Sequence, residues 1–178
     1  CTAVGSIVKT QTPAIGTVIS GHNTTQLITI TADDGNGNTN FTTFTITLKD
    51  VTKPVITCPA PVSANTNSDG TGNCTTTVNL GTPTATDNCT TAGNFTFTAK
   101  VSGATINPAT YLFPTGNTTV VWTATDQAGN VSSSCNQIVT VIDNEDPTVT
   151  AAADVTTTTS AGGTGDCTAR ITITNATY

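Results

Sequence analysis

The chain has no methionine, one histidine and one tryptophan in 178 residues, and only 9% of its residues are charged. Five Lys and Arg stand against eleven Asp and Glu, for a net charge of −6. That scarcity of cations excludes a basic face for nucleic acid, because gripping phosphates needs clustered Lys and Arg. The single imidazole, His22, leaves the many Ser and Thr hydroxyls short of an activating base, so no enzyme is expected. His22 sits in a turn-like Gly21-His22-Asn23 context and reads as a surface loop residue. No apolar run reaches the ~18 residues that a membrane-spanning helix requires, so membrane insertion is not expected in this segment. The sequence shows neither an initiator Met, a signal peptide nor a lipidation motif, and reads as a window from a longer or processed chain. Helical periodicity of useful length is also missing.

What remains is apolar and β-branched. Hydrophobic residues make up 35% of the chain, too many for the disorder that low charge alone can signal. Roughly a quarter of the chain is Thr, a strand former, which with Val, Gly and Asn points to an all-β protein with polar, uncharged surfaces. Val120, Trp122 and Ala124 alternate with Val121, Thr123 and Thr125; Phe95, Phe97 and Ala99 share one face, and Thr75 to Leu80 follow the same period. Turn signals such as Ser68-Asp69-Gly70 and Asn107-Pro108 recur at about 8–12 residues, as in a β-sandwich with Greek-key connections.

The sequence repeats. Asp50-Val-Thr-Lys53-Pro54-Val-Ile-Thr-Cys58 returns as Asp143-Asn-Glu145-Asp146-Pro147-Thr-Val-Thr-Ala151, and Gly72-Asn-Cys74 returns as Gly165-Asp-Cys167, both with a period of 93. Thr31-Ala-Asp-Asp34-Gly-Asn-Gly37-Asn38 likewise returns as Thr123-Ala-Thr-Asp126-Gln-Ala-Gly129-Asn130. Beyond that echo, Phe44, Ile46, Leu48 and Asp50 match Gln137, Val139, Val141 and Asp143.

With Ala85-Thr-Asp87-Asn88-Cys89 and Phe113-Pro-Thr-Gly-Asn, these motifs resemble the hyalin repeat (HYR) family. The resemblance covers essentially the whole chain and departs at Gln137, where the family usually carries an aromatic. It implies tandem immunoglobulin-like β-sandwiches, Greek key in topology and braced by disulfides. Residues 1–50 are then the C-terminal part of one repeat, 51–143 a complete repeat and 144–178 the N-terminal part of a further repeat. It also implies an extracellular or cell-surface location, on a bacterial cell by comparison with giant bacterial adhesins. The expected function is that of a structural repeat module in an extracellular filament or surface adhesin, a stalk or fibre of head-to-tail repeats. The alternative is an adhesin module that binds a polysaccharide or a host protein. Expected partners are neighbouring copies of itself, with surface polysaccharide as a further candidate and no nucleic acid.

The six cysteines form no CxxC pair, and one histidine cannot complete a Cys/His zinc site, so they read as disulfides of an oxidising compartment. Four cysteines allow three connectivities. In family order they are Cys58, Cys74, Cys89 and Cys135; Ala151 replaces the first in the trailing part-repeat, and Thr42 replaces the fourth in the leading one. Laid end to end, 144–178 and 1–50 make a nearly complete module that keeps the second and third cysteines, as Cys167 and Cys1. Loss in pairs then implies Cys58–Cys135, Cys74–Cys89, and Cys1–Cys167 of an adjoining segment or subunit. Eight Asn-x-Ser/Thr triplets follow largely from the Asn and Thr content and carry little weight for glycosylation.

Three places could hold a ligand. Asp143, Glu145 and Asp146 crowd three acids without a cation, whereas Asp50 is followed by Lys53; calcium is therefore expected at Asp143, Glu145 and Asp146 rather than at Asp50. Asp87 or Asp126 of a neighbouring loop could add ligands to such a linker site. Asp33, Asp34 and Asp126 lie in Asp-Gly-Asn turns, where carboxylates satisfy local backbone donors. An aromatic platform for sugar would have to come from Trp122, Tyr111 or Tyr178, and Trp122 shares the inward face with Val120 and Ala124, which points to core packing against a disulfide.

Overall fold

The computed structural model describes residues 7–66, 73–147, 149–159 and 167. Its regular elements are strands. β1 (Val8–Thr12), β2 (Thr25–Asp33) and β3 (Thr39–Thr47) form one antiparallel sheet in that order. The second part of the chain supplies β4 (Val55–Thr57), β5 (Val62–Asn65), β6 (Thr75–Thr77), β7 (Thr84–Thr86), β8 (Thr96–Val101), β9 (Ala104–Ile106), β10 (Leu112–Pro114), β11 (Gly116–Thr125) and β12 (Cys135–Ile142). Five of these make a sheet ordered β5-β12-β11-β8-β9, antiparallel except for the parallel β12–β5 pair. The antiparallel pairs β4–β7 and β6–β10 make up the facing layer.

The core lies between these layers. Ala99, Val120, Trp122, Val139 and Val141 project from the five-stranded sheet, and Val78, Leu80 and Phe113 meet them from the other side. Strand alternation explains the selection: along β11, Val120, Trp122 and Ala124 are buried, and the residues between them are less so. The Tyr111 and Phe113 rings add an edge-to-face contact with centroids 4.7 Å apart. Alternating burial at Thr76, Val78 and Leu80 extends beyond the end of β6 at Thr77. An Asx turn closes that stretch, in which the Gly81 amide donates to Asn79 Oδ1 at 3.0 Å and Gly81 adopts φ +72°.

Two cross-links hold the layers together. Cys58 and Cys135 form a disulfide with Cα atoms 5.8 Å apart, against the core and beside Trp122, whose register partner is Cys135. Next to it Gln137, only 1% exposed, makes three hydrogen bonds, two of them buried and the one to Ala60 part-buried. Its Nε2 donates to the carbonyls of Ala60 and Leu80, each at 2.8 Å, and its Oε1 accepts from Trp122 Nε1 at 3.0 Å. The departure from an aromatic at this position is thus an exchange of packing for a fully bonded polar tie.

The expected Cys74–Cys89 bridge is not formed, because Cys89 is an exposed thiol. Its backbone is held in the loop after β7, whereas Cys74 leads into β6, which pairs with β10. Cys1 lies outside the described residues, and so do most of those following 159.

Replacing Gln137 with Leu leaves the Trp122 N–H and two carbonyls without partners, at about 1–3 kcal/mol for each buried group. Urea denaturation is expected to show a loss of at least about 3 kcal/mol, and Gln137→Glu, which also buries a charge, should lose more. Removing both Cys58 and Cys135 opens a loop with a sequence separation of 77 and should cost about 4 kcal/mol on the chain-entropy model.

Candidate functional site

The junction between the two parts of the chain is where polar side chains converge. β3 runs on past its last residue: Leu48 N–H donates to Thr24 O at 2.9 Å, and Leu48 O accepts from Asn23 N–H at 2.8 Å. Two residues later Asp50, only 8% exposed, has its amide fixed by His22 Nδ1 at 3.1 Å. His22 is therefore half-buried and anchors the linker, rather than being a simple surface loop residue. Asp50 Oδ1 accepts the Thr52 amide at 3.0 Å, and its carbonyl accepts Asn130 Nδ2 at 3.3 Å.

Two loops of the complete repeat close on this point. In the loop after β7, Asp87 Oδ2 accepts the amides of Cys89 at 2.9 Å and Thr90 at 3.0 Å. In the loop after β11, Asp126 Oδ1 accepts the Asn130 amide at 2.7 Å, Oδ2 accepts Asn130 Nδ2 at 2.9 Å, and Gly129 adopts φ +90°. The loops are tied to each other, since Thr90 Oγ1 accepts the Gln127 amide at 3.3 Å. One carboxylate oxygen each from Asp50, Asp87 and Asp126 thereby lie within 4.8 Å of one another. Asp50 Oδ2 and Asp87 Oδ1 are buried and accept no hydrogen bond.

Burial pushes the Asp126 carboxyl up, but the Asn130 side chain and the amides of Asn130, Ala128 and Gly129 outweigh it and hold the group below its ordinary 3.8. Desolvation, and after it the charges of Asp50, Asp87 and Asp126, push the neighbouring Cys89 thiol above its ordinary 9.0.

The acids Asp143, Glu145 and Asp146 do not converge in this way. Among the described residues, Asp50, Asp87 and Asp126 are the group of three whose ligand atoms come within reach of one ion. Asp143 Oδ1 instead accepts the Glu145 amide at 3.1 Å and the Thr66 hydroxyl at 3.3 Å, while Glu145 Oε1 is buried without a partner. With Asp143 Oδ1 taken up by the Glu145 amide and the Thr66 hydroxyl, closeness in sequence alone does not place three carboxylates together. Trp122 is 3% exposed and packed in the core, unavailable as a sugar platform, and Tyr111 is half-buried against the same core.

The leading sheet carries the same loop device. Asp34 Oδ1 accepts the amides of Asn36 at 2.9 Å and Asn38 at 3.2 Å, and Asp34 Oδ2 accepts Asn38 Nδ2 at 2.8 Å. In both loops the Asp amide donates to the Asn carbonyl, at 3.2 Å for Asp34 and 3.1 Å for Asp126. Strand register agrees: Ile28 pairs with Phe44 as Val120 pairs with Gln137, and Ile30 pairs with Thr42 as Trp122 pairs with Cys135.

The HYR domain family model matches residues 49–141, more than half of the chain. This chain belongs to the HYR family. A rat protein, Sushi, von Willebrand factor type A, EGF and pentraxin domain-containing protein 1 (Rattus norvegicus), is 38% identical over 109 residues. The match covers 59% of this chain but only 3% of that protein. Among solved structures, the crystal structure of mouse cadherin-23 EC22-24 aligns with a TM-score of 0.37 at 18% identity, over 78% of this chain and 53% of that one. As an HYR chain the protein is an extracellular module of the cell-adhesion type. No helix among the described residues is long and apolar enough to cross a membrane.

The Asp34 loop of the leading sheet makes a direct test of these turns. The Asn38 side chain, then the Asn36 amide, hold the Asp34 carboxyl below its ordinary 3.8 against a smaller contribution from burial. A lowered folded pKa means that the loop's contribution to stability is present above pH 3.8 and is lost as pH falls through the lowered value. Replacing Asn38 with Ala should return the carboxyl toward 3.8, which NMR titration of the Asp34 side chain reads directly.

Proposed function

We propose that the protein is a structural repeat module of an extracellular filament or cell-surface adhesin, joined head to tail with copies of itself into a stalk or fibre. The observation that carries this reading is an apolar sheet face that lacks a facing layer of strands. In the complete module, Val120, Trp122, Gln137 and Val139 are each at most 3% exposed beneath that layer. Their register counterparts are Ile28, Ile30, Phe44 and Ile46; Ile28 is buried at 6% exposure and Ile30 half-buried, whereas Phe44 is 49% and Ile46 43% exposed. No second layer of strands faces β1–β2–β3 among the described residues. In the complete module that layer comes from the segment following Pro54, and residues 144–178 repeat the start of that segment with the same period of 93.

A neighbouring HYR segment equivalent to 144–178 has the sequence needed to complete the leading sheet. It would do so either as the preceding part of one long repeat array or as a strand donated by another subunit. Cys167 and Cys1 would then occupy the second and third family positions of the composite module, and Cys167 is an exposed thiol suited to that link. A mechanical role of this kind needs no catalytic group. A bacterial surface is the setting in which such tandem arrays would serve as stalks. The rival reading, an adhesin that binds a polysaccharide or a host protein, has no exposed aromatic platform at Trp122 to support it.

Electron microscopy of the native material is expected to show regular filaments with repeating beads. Peptide mapping without reduction should recover Cys1 joined to Cys167. Isolated particles, with Cys1 and Cys167 both recovered as thiols, would refute head-to-tail completion. Specific retention on a glycan array by particles that do not polymerise would favour the rival.

A further inference from the structure

We propose that Asp50, Asp87 and Asp126 form a calcium site that fastens the linker entering the HYR module to the module's two end loops. The site does not depend on the filament reading, since all three residues belong to one chain and to one junction. Three carboxylates with oxygens within 4.8 Å repel one another strongly when ionised, and burial removes the water that would screen them. A folded protein tolerates such an arrangement when something positive neutralises it.

The hydrogen-bond inventory indicates what that is. At each carboxylate the fold has assigned oxygens to local donors: Asp50 Oδ1 to Thr52, Asp87 Oδ2 to Cys89 and Thr90, and both Asp126 oxygens to Asn130. Those bonds fix the side chains and leave Asp50 Oδ2 and Asp87 Oδ1 buried and unpartnered. A buried carboxylate oxygen without a donor carries its full desolvation cost, so two beside a third carboxylate are best explained as ligands of a cation. Asp50 itself is more than nine-tenths buried, which separates it from an ordinary solvated acid.

The donor set selects the ion. It is all oxygen and anionic, which suits a hard cation rather than zinc, whose sites favour nitrogen and sulfur. The ligands come from a linker and two separate loops, an irregular set that calcium accepts with water filling the remainder of its six to eight positions. Magnesium demands near-octahedral order and gives up its water reluctantly. Affinity on the order of 10⁻⁴–10⁻³ M, usual for extracellular modules, is expected.

The experiment uses the whole 178-residue chain, freed of metal with a chelator and titrated with calcium chloride by isothermal calorimetry alongside thermal melting. Asp50→Asn and Asp87→Asn keep an oxygen for the backbone amides each residue already caps, so both variants retain the loops while losing a ligand charge. We expect one calcium site in the wild type and a melting temperature raised by about 2–8 °C in excess calcium. Each Asn variant should weaken binding at least tenfold, and a triple variant, Asp143→Asn with Glu145→Gln and Asp146→Asn, should bind as the wild type does. Magnesium should give at least tenfold weaker binding. Absence of calcium heat and of any melting shift in the folded wild type would overturn the proposal. So would undiminished binding in both Asn variants, loss of binding in the triple variant, or equal affinity for magnesium.

Discussion

A β-sheet with one apolar face has to be covered, and this constraint organises the whole chain. Where the cover is present, between β4 and β12, Val120, Val139 and Phe113 are fully buried, and one disulfide with one glutamine secures the two layers. Over β1–β2–β3, which no second layer of strands faces among the described residues, the same register and the same loop bury Ile28 but leave Phe44 and Ile46 half in solvent. The contrast is internal to one polypeptide, so chemistry, composition and strand length are nearly controlled for. What differs is the second layer. Burial of the sheet face thus follows the presence of a second layer of strands over it.

With so few charged residues, polar order is assigned to short side chains acting locally. Asp, Asn and Thr cap nearby amides at Asp34, Asp87 and Asp126, and these turns position the loops without long-range ion pairs. Gln137 is a long-range tie in the core, as Asn130 with Asp50 and Thr66 with Asp143 are at the junctions. It reaches across the core to the Ala60 and Leu80 carbonyls, strand-edge groups that an aromatic at this position would leave unbonded. One amide side chain there supplies two donors and one acceptor, matched in number to the three groups around it.

Much of this was legible in the sequence because it rests on local, chemically distinctive residues. Period-two alternation marked β11 and its buried face, and the Asp-Gly-Asn echo marked two loops whose hydrogen bonds coincide. The replacement of Cys135 by Thr42 fits their matching positions opposite Trp122 and Ile30. The junction was less legible. Asp50, Asp87 and Asp126 are separated by dozens of residues and meet only through tertiary packing, whereas Asp143, Glu145 and Asp146 are conspicuous by adjacency alone. His22 looked idle because its partner is a backbone amide, which no side-chain pattern encodes. The available signal was weaker: a lone Asp at a repeat boundary, recurring with the period, beside the two loops whose own Asp residues open tight turns.

That periodicity also accounts for the second acidic junction. Asp143 is the counterpart of Asp50, and its Oδ1 accepts the amide two residues on, as Asp50 Oδ1 does with Thr52. Counterparts of Asp87 and Asp126, one period of 93 onward, fall beyond Tyr178. Asp143 thus holds the position in the repeat that Asp50 holds one period earlier. The 143–146 acids do not converge on one another among the described residues, whereas Asp50 meets Asp87 and Asp126 through tertiary packing. Glu145, half-buried with Oε1 unpartnered, is an added acid on that linker with no equivalent after Asp50, where Thr52 stands at the matching place. The two junctions thus share a plan and differ in charge, and the difference lies in the residues flanking the common Asp.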